Sequence, residues 1–366
     1  MIRQAYAEID ISAIKSNIAA LKKLLPGKTQ FMAVVKANGY GHGSVQVAKA
    51  ALSAGANRLG VALVEEAIPL RQAGIIAPIQ LLTAVPAEGL NKISELDLIV
   101  AVYTKEQADS LNKLGKPVKV HIKADTGMNR IGVSHKDAQG FIDYVSGLNN
   151  IEIEGMFTHF ATADQQPSDY AKEQWTRFKD IVQAAKESNP LLIAHAANSA
   201  ATILYPQSHL DMVRVGIAMY GLHPSSVTKS KINLCPALSL KAKLSYVKKV
   251  GPGECISYGA THTTSKRTVV GTIPLGYADG YTRLLSNKCE ILVGGRRCKQ
   301  IGRICMDQFM VDLDNIDAKT NDEAVLIGRQ GNEEITADEL AQILGTINYE
   351  IVCKVASRIP RVYING

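Results

Sequence analysis

The run Phe31-Met32-Ala33-Val34-Val35-Lys36-Ala37-Asn38-Gly39-Tyr40-Gly41-His42-Gly43 carries an apolar stretch into a lysine and then at once into glycines. A lysine stripped of solvent loses its proton more readily and offers a free amine for Schiff-base formation with a carbonyl. The glycines let backbone approach a ligand closely. A lysine whose stem lies along a strand edge while its head reaches water fits the segment equally well. The other polar groups of the chain separate the two readings. Lys123-Ala124-Asp125-Thr126-Gly127-Met128-Asn129-Arg130, Thr158-His159, Asn198-Ser199, and Arg214 ahead of Gly216-Ile217 each follow or close an apolar run of their own.

Those runs define the elements that must hold the groups. Apolar stretches at 31–36, 59–63, 79–83, 97–102, 118–124, 153–160, 191–196 and 212–218 alternate with amphipathic segments such as Gly43 to Ala54, Glu65 to Ala73 and Ala171 to Lys186. This eightfold strand–helix alternation predicts an α/β fold with an N-terminal (β/α)8 barrel of the TIM type, whose functional groups collect at the carboxyl ends of the strands. After Pro236 the period shortens to two, at 238–244, 267–274, 289–293, 309–313 and 323–327, which predicts a mostly antiparallel β-domain. One late helix is expected from Ala337 to Leu344, behind Thr336. Ala5 to Ile11 also alternates. The expected division is therefore a strand at 1–10 that joins the C-terminal sheet, the barrel at 11–233 and the β-domain at 234–366.

At 366 residues the chain is longer than one core usually supports. With 46% hydrophobic and 20% charged residues it is globular, which excludes disordered and fibrous classes. No apolar run approaches the ~20 residues of a membrane helix, and the first residues lack the apolar core of a signal peptide, so a cytoplasmic protein is expected. The six cysteines form no C-x-x-C pair and are expected to be thiols; nothing asks for a metal. The net charge of +7 is scattered in doublets, which argues against nucleic acid and suits a small anionic ligand.

A cationic barrel mouth with a strand-end lysine asks for an anionic carbonyl compound. Pyridoxal 5′-phosphate (PLP) has both the aldehyde and the phosphate. Ser199 and the amides of Gly216 and Ile217, just past the last two strands, lie where barrels often bind phosphate. An Arg214 guanidinium facing the pyridine nitrogen has no proton to give up, so that nitrogen stays unprotonated and the ring is a weak electron sink.

In the Lys36 motif, Asp125-Thr126-Gly127-Met128-Asn129-Arg130-Ile131-Gly132, Ala197-Asn198-Ser199-Ala200, Arg214-Val215-Gly216-Ile217-Ala218-Met219-Tyr220-Gly221, Ser257-Tyr258-Gly259-Ala260 and Ile304-Cys305-Met306-Asp307-Gln308, the chain resembles the bacterial alanine racemases of the PLP-dependent barrel type over essentially its whole length. The resemblance implies interconversion of L-alanine and D-alanine, supplying D-alanine for peptidoglycan, in a homodimer with shared sites. It implies that Lys36 carries PLP and is one base, and that Tyr258, reaching the partner's barrel, is the opposed one. Arg130 and the Met306 backbone would hold the substrate carboxylate. Tyr40, Ser199, Gly216, Ile217 and Tyr349 would hold the phosphate, and His159, also a cofactor-binding residue, would link Arg214 to the tyrosine. Lys123 would be a carbamate that orients Arg130. Asn198, Tyr277 and Asp307 would be supporting residues, with Tyr277 at the entrance. Val215 stands where a proline is common, which removes a fixed backbone angle and no functional group. A serine or broad-specificity racemase of the same fold is the alternative. A PLP-dependent decarboxylase is disfavoured because it would set an acid, not Arg214, against the pyridine nitrogen.

Overall fold

The computed structural model describes residues 2–314 and 316–366, and the chain divides into two compact units. One comprises 13–39 and 44–235; the other comprises 1–12, 40–43 and 236–366.

In the first unit, parallel strands Met212–Val215, Gln30–Val34, Arg58–Val61, Ile79–Leu81, Leu98–Val102, Val118–Asp125, Ile151–Phe157 and Ile193–His195 lie side by side in that order. Asp211 N–H to Ala194 O at 3.2 Å and Arg214 N–H to Ala197 O at 2.9 Å bring the last strand to the first, so the expected barrel is the fold observed. Strands such as Arg58–Val61, Leu98–Val102 and Met212–Val215 are buried throughout, as strands covered on both faces must be. Between them run helices such as Ser44–Ser53, Val64–Gln72 and Asp169–Ser188, the last capped by the Ser168 hydroxyl, which accepts from Ala171 N–H.

In the second unit the sheet order is Tyr246–Val250, Thr268–Ile273, Phe309–Asp312, Arg296–Ile301, Glu290–Val293, Glu323–Gln330, Leu238–Lys243, Ala5–Asp10 and Arg361–Ile364, with Glu333–Ile335 added to Glu323–Gln330. All these neighbours are antiparallel except Ala5–Asp10 with Arg361–Ile364. Helix Ala337–Leu344 begins where Thr336 accepts Glu339 N–H and ends at Gly345 in the left-handed conformation. Among the described residues no helix is long and apolar enough to cross a membrane.

Candidate active site

The first barrel strand stops at Val34, and Lys36 opens a turn rather than closing the strand. Ala37, Asn38, Gly39 and Tyr40 are all left-handed, with φ of 51°, 52°, 62° and 50°. For residues with a Cβ this costs about 1–2 kcal/mol each, so the surroundings must impose it. They do so through Glu66, which accepts Ala37 N–H at 2.6 Å and Ala62 N–H at 2.8 Å, and through Asn38 Oδ1, which accepts Ser44 N–H at 3.0 Å. Lys36 itself is partly exposed, less buried than the apolar run before it leads one to expect.

The carboxyl ends of neighbouring strands bring a cluster of cations together. Arg214 donates from Nη2 to the Thr158 carbonyl at 2.7 Å and to His159 Nδ1 at 3.3 Å, and from Nη1 to His195 Nδ1 and the His195 carbonyl, both at 3.0 Å. Burial pushes its guanidinium down to about 9, which leaves it charged at neutral pH. His159 is held well below the ordinary imidazole value, first by loss of solvent and then by the charges of Arg214, Lys123, Arg130 and Lys36. Its ring is therefore neutral, and because Arg214 can only donate, Nδ1 is the bare nitrogen. Lys123, buried, donates to the Ala124 carbonyl at 3.0 Å and lies over the Phe157 ring at 5.4 Å. Burial, then Arg214 and more weakly Arg130, bring its ammonium down to about 7. Arg130 is exposed at the end of a loop shaped by Asp125, whose Oδ1 accepts Gly127 and Asn129 N–H at 2.9 and 3.1 Å.

Beside this cluster, Ser199 Oγ accepts Gly216 N–H at 3.0 Å and Ala218 N–H at 3.4 Å, so the loop holding Ile217 folds around the serine hydroxyl. Asn198 is the cap of helix Ser199–Leu204 and accepts Ala201 N–H at 3.0 Å, a structural duty that fixes where Ser199 stands. Sequence reasoning passes over His195; a histidine closing the apolar run 191–196 was its only signal.

The remaining expected residues lie in the other unit. The Tyr40 and Tyr349 ring centres are 6.3 Å apart, with 53° between their planes. Tyr258 is 70% exposed, between Ser257 at φ 67° and Gly259 at φ 71°. The Ser257 hydroxyl holds that strained loop to the Arg303 carbonyl at 2.7 Å. Met306 and Tyr277 are exposed on adjoining loops tied by Tyr277 N–H to Cys305 O at 3.0 Å and Ala278 N–H to Met306 O at 3.1 Å. Asp307 pairs with Arg358 at 2.5 Å.

The donor set of the barrel suits PLP. Lys36 stands at the mouth, Arg214 is a buried group that can only donate, and Ser199 gathers backbone amides in a loop that passes closely around it. A strand-end lysine among such donors, on a barrel accompanied by an antiparallel sheet, is the donor set of a PLP-dependent enzyme of the barrel-plus-sheet class. Residues 9–224 match the family described as alanine racemase, N-terminal domain, and 237–363 match alanine racemase, C-terminal domain. Alanine racemase of Desulfovibrio desulfuricans is 47% identical, covering 99% of this chain and 98% of the relative; that of Halothermothrix orenii is 46% identical, covering 99% and 97%. The crystal structure of alanine racemase from Bacillus anthracis with bound L-Ala-P superposes with a TM-score of 0.95 at 42% identity, covering 100% of this chain and 96% of that one. The chain belongs to the alanine racemase family and is a PLP-dependent amino-acid racemase.

Proposed function

We propose that Lys36 and Tyr258 are the opposed bases with which this racemase interconverts L-alanine and D-alanine, the latter destined for peptidoglycan. The convergence of Lys36, Lys123, Arg130 and Arg214 around His159 supports the reading most strongly. PLP, when bound, supplies the aldehyde that Lys36 condenses with and the conjugated ring that acidifies the substrate α-proton. Racemisation removes a proton on one face and returns it on the other, so bases on opposite faces serve it better than one. Lys36 Nζ handles one face. Tyr258 Oη handles the other, with His159 joining it to Arg214. Arg130 orients the carboxylate with its planar fork, and the Met306 N–H adds to that hold. Ser199, the Gly216 and Ile217 amides, Tyr40 and Tyr349 hold the phosphate. Arg214, a donor only, keeps the pyridine nitrogen unprotonated, which limits side reactions.

Lys123 acts as a carbamate in this proposal. At about 7 its amine is free often enough at neutral pH to add carbon dioxide, and the product replaces a cation beside Arg214 and Arg130 with an anion. The active assembly is a head-to-tail homodimer in which Tyr258, Met306 and Tyr277 of one chain complete the other's site. Their exposure in the single chain supports it. The enzyme works in the cytoplasm, where reducing conditions suit its cysteines.

Incubation with L-alanine in deuterated water tests the reading: the D enantiomer should appear with deuterium at Cα. Borohydride should fix the cofactor to Lys36. A protein that binds no PLP on Lys36, or a Tyr258→Phe variant that racemises as the parent does, overturns the two-base assignment. Serine as competing substrate tests the choice of alanine, since a hydroxymethyl for a methyl shifts such a pocket by only about 1–3 kcal/mol.

A further inference from the structure

Arg214 is the head of a file of buried polar side chains that runs through the barrel interior. His195 Nδ1 lies 3.0 Å from Arg214 Nη1, His195 Nε2 lies 2.7 Å from His121 Nδ1, and His121 Nε2 lies 2.9 Å from Glu154 Oε2. Glu154 in turn takes Arg58 Nη1 at 2.5 Å on that same oxygen, and Arg58 Nε reaches Gln30 Oε1 at 3.0 Å. Both histidines are fully buried, and Arg214 and Arg58 nearly so.

The two ends fix the direction of every bond between them. A guanidinium only donates and a carboxylate only accepts. His195 Nδ1 facing Arg214 must therefore be bare, with the proton on Nε2. That N–H donates to His121 Nδ1, which is bare for the same reason, and His121 Nε2–H donates to Glu154. A second proton on either ring would set N–H against N–H. Burial, ahead of the neighbouring positive charges, holds both imidazoles below their ordinary value, and the pull of Glu154 on His121 does not reverse this. Burial alone would raise Glu154, but the hydrogen bonds from His121 and Arg58 take it down to about 2, so it stays an acceptor.

The surrounding packing is shaped to the file. Gly155 has no side chain where a Cβ would lie 2.5 Å from His121 Cε1. Phe157 stacks on the His195 ring at 5.0 Å with 10° between the planes, which resists rotation of that ring. The charged groups facing the two imidazoles are Arg58, Glu154, Lys123 and Arg214, with Lys119 3.6 Å from Glu154.

We propose that His121 and Glu154 are positioning residues that lock the tautomer of His195 and so keep Arg214 aimed at the cofactor's ring nitrogen. The catalytic half rests on the reading above that Arg214 faces that nitrogen; the tautomer half does not. With its proton moved to Nδ1, His195 would confront Arg214 donor to donor and push the guanidinium off its place. The ring nitrogen would then be open to protonation, and proton return to the cofactor instead of the substrate would increase.

The test is a holoenzyme labelled with 15N in its histidines. His121 and His195 should each show a bare Nδ1 and a protonated Nε2, unchanged from about pH 5 to about pH 8, where a free imidazole titrates. A charged ring or a protonated Nδ1 at either residue overturns the proposal, and this measurement needs no variant. His121→Phe keeps a ring but removes the acceptor. It should give mixed His195 tautomers and raise pyridoxamine phosphate formation per racemisation event several-fold, whereas His121→Gln, which can accept and donate, should recover the parent ratio. An unchanged His195 signal and an unchanged ratio in His121→Phe also overturn it. PLP labelled with 15N in the ring reports separately on Arg214: a protonated ring nitrogen in the parent enzyme overturns the catalytic half and leaves the histidine result to stand by itself.

Discussion

Arg361 Nε lies 3.0 Å from the Gly41 carbonyl oxygen, and the same guanidinium reaches the carbonyls of Val355, Ala356 and Ile359 at 2.6–2.7 Å. The close approaches around Gly41 and Gly43 show why the Lys36 motif is rich in glycine. A Cβ at Gly41 would lie 2.1 Å from Val352 O, and one at Gly43 would lie 1.9 Å from Tyr363 Oη. This packing sets the loop that carries Tyr40 beside Tyr349.

Arg361→Met should therefore weaken PLP binding through Tyr40 and Tyr349 more than it slows turnover by the loaded enzyme. Losing charge-assisted bonds to several carbonyls costs about 2–3 kcal/mol, a drop of several degrees in Tm for the apoprotein. Gly41→Ala should behave alike, because both the close approach and φ of 83° oppose a side chain. Cofactor titration monitored by visible absorbance, alongside thermal unfolding, checks both; PLP affinity equal to the parent's in Arg361→Met would refute the link to the phosphate site.

Lys123 predicts a pH dependence of stability. Its amine titrates near 7 in the folded chain, lowered chiefly by burial, and near ~10.4 when unfolded. Between those values the unfolded state binds more protons, so stability rises with pH from about 7 to about 10 and is lowest below 7, with a slope of at most ~1.4 kcal/mol per pH unit. Urea unfolding of the apoprotein in buffer free of carbon dioxide should show this slope, and Lys123→Met should lack it. Parallel curves for the two proteins would place Lys123 in a more solvated setting.

Arg358 joins two loops through their acids, with Nε 2.7 Å from Asp279 Oδ1 and Nη2 2.5 Å from Asp307 Oδ1, while Arg3 shares Asp279. Asp279 is fully buried and also accepts Gly276 N–H at 3.0 Å, so it organises the Tyr277 loop. Removing the guanidinium in Arg358→Met leaves Asp279 with Arg3 and frees the Met306 loop. The expected result is KM raised about 5–10-fold with kcat within a factor of about two, consistent with ~1 kcal/mol for a half-exposed pair. Steady-state kinetics in both directions decides, and a loss confined to kcat would contradict it.

Two inactive variants should restore one another if the sites are shared. Lys36→Ala and Tyr258→Phe, unfolded and refolded together, form mixed dimers in which one site carries both changes and the other neither. About a quarter of the parent's activity should return in the mixture, given random pairing of a symmetric dimer. No recovery, with mixed dimers shown to be present, excludes sites built across the interface.

Much of the architecture was legible because most barrel strands are buried on both faces and read as short apolar runs, and their regular alternation with amphipathic segments tells them from buried helices. The sheet was less so. Tyr246–Val250 and Arg296–Ile301 escaped notice, since Lys248, Lys249, Arg296, Arg297 and Lys299 break their alternation; one strand is an edge and both put long polar side chains in water. The candidate site residues stood out where chemistry and glycine coincide, as at Lys36, Arg130 and Arg214, whereas Ser199 was marked only by its place after an apolar run.

By itself the sequence determined the period of each half, the order of the strand-end groups and the family to which their spacing belongs, because these are local properties of the chain. Only the tertiary structure decided which polar residues meet. His121 and His195 are 74 positions apart, and each looks like an isolated histidine in an apolar run. Parallel pairing of Val118–Asp125 with Ile151–Phe157, and of that strand with Ile193–His195, sets their rings 2.7 Å apart, nitrogen to nitrogen. Strand register inside a closed barrel is set by the packing of all the strands at once, so no single segment carries the information.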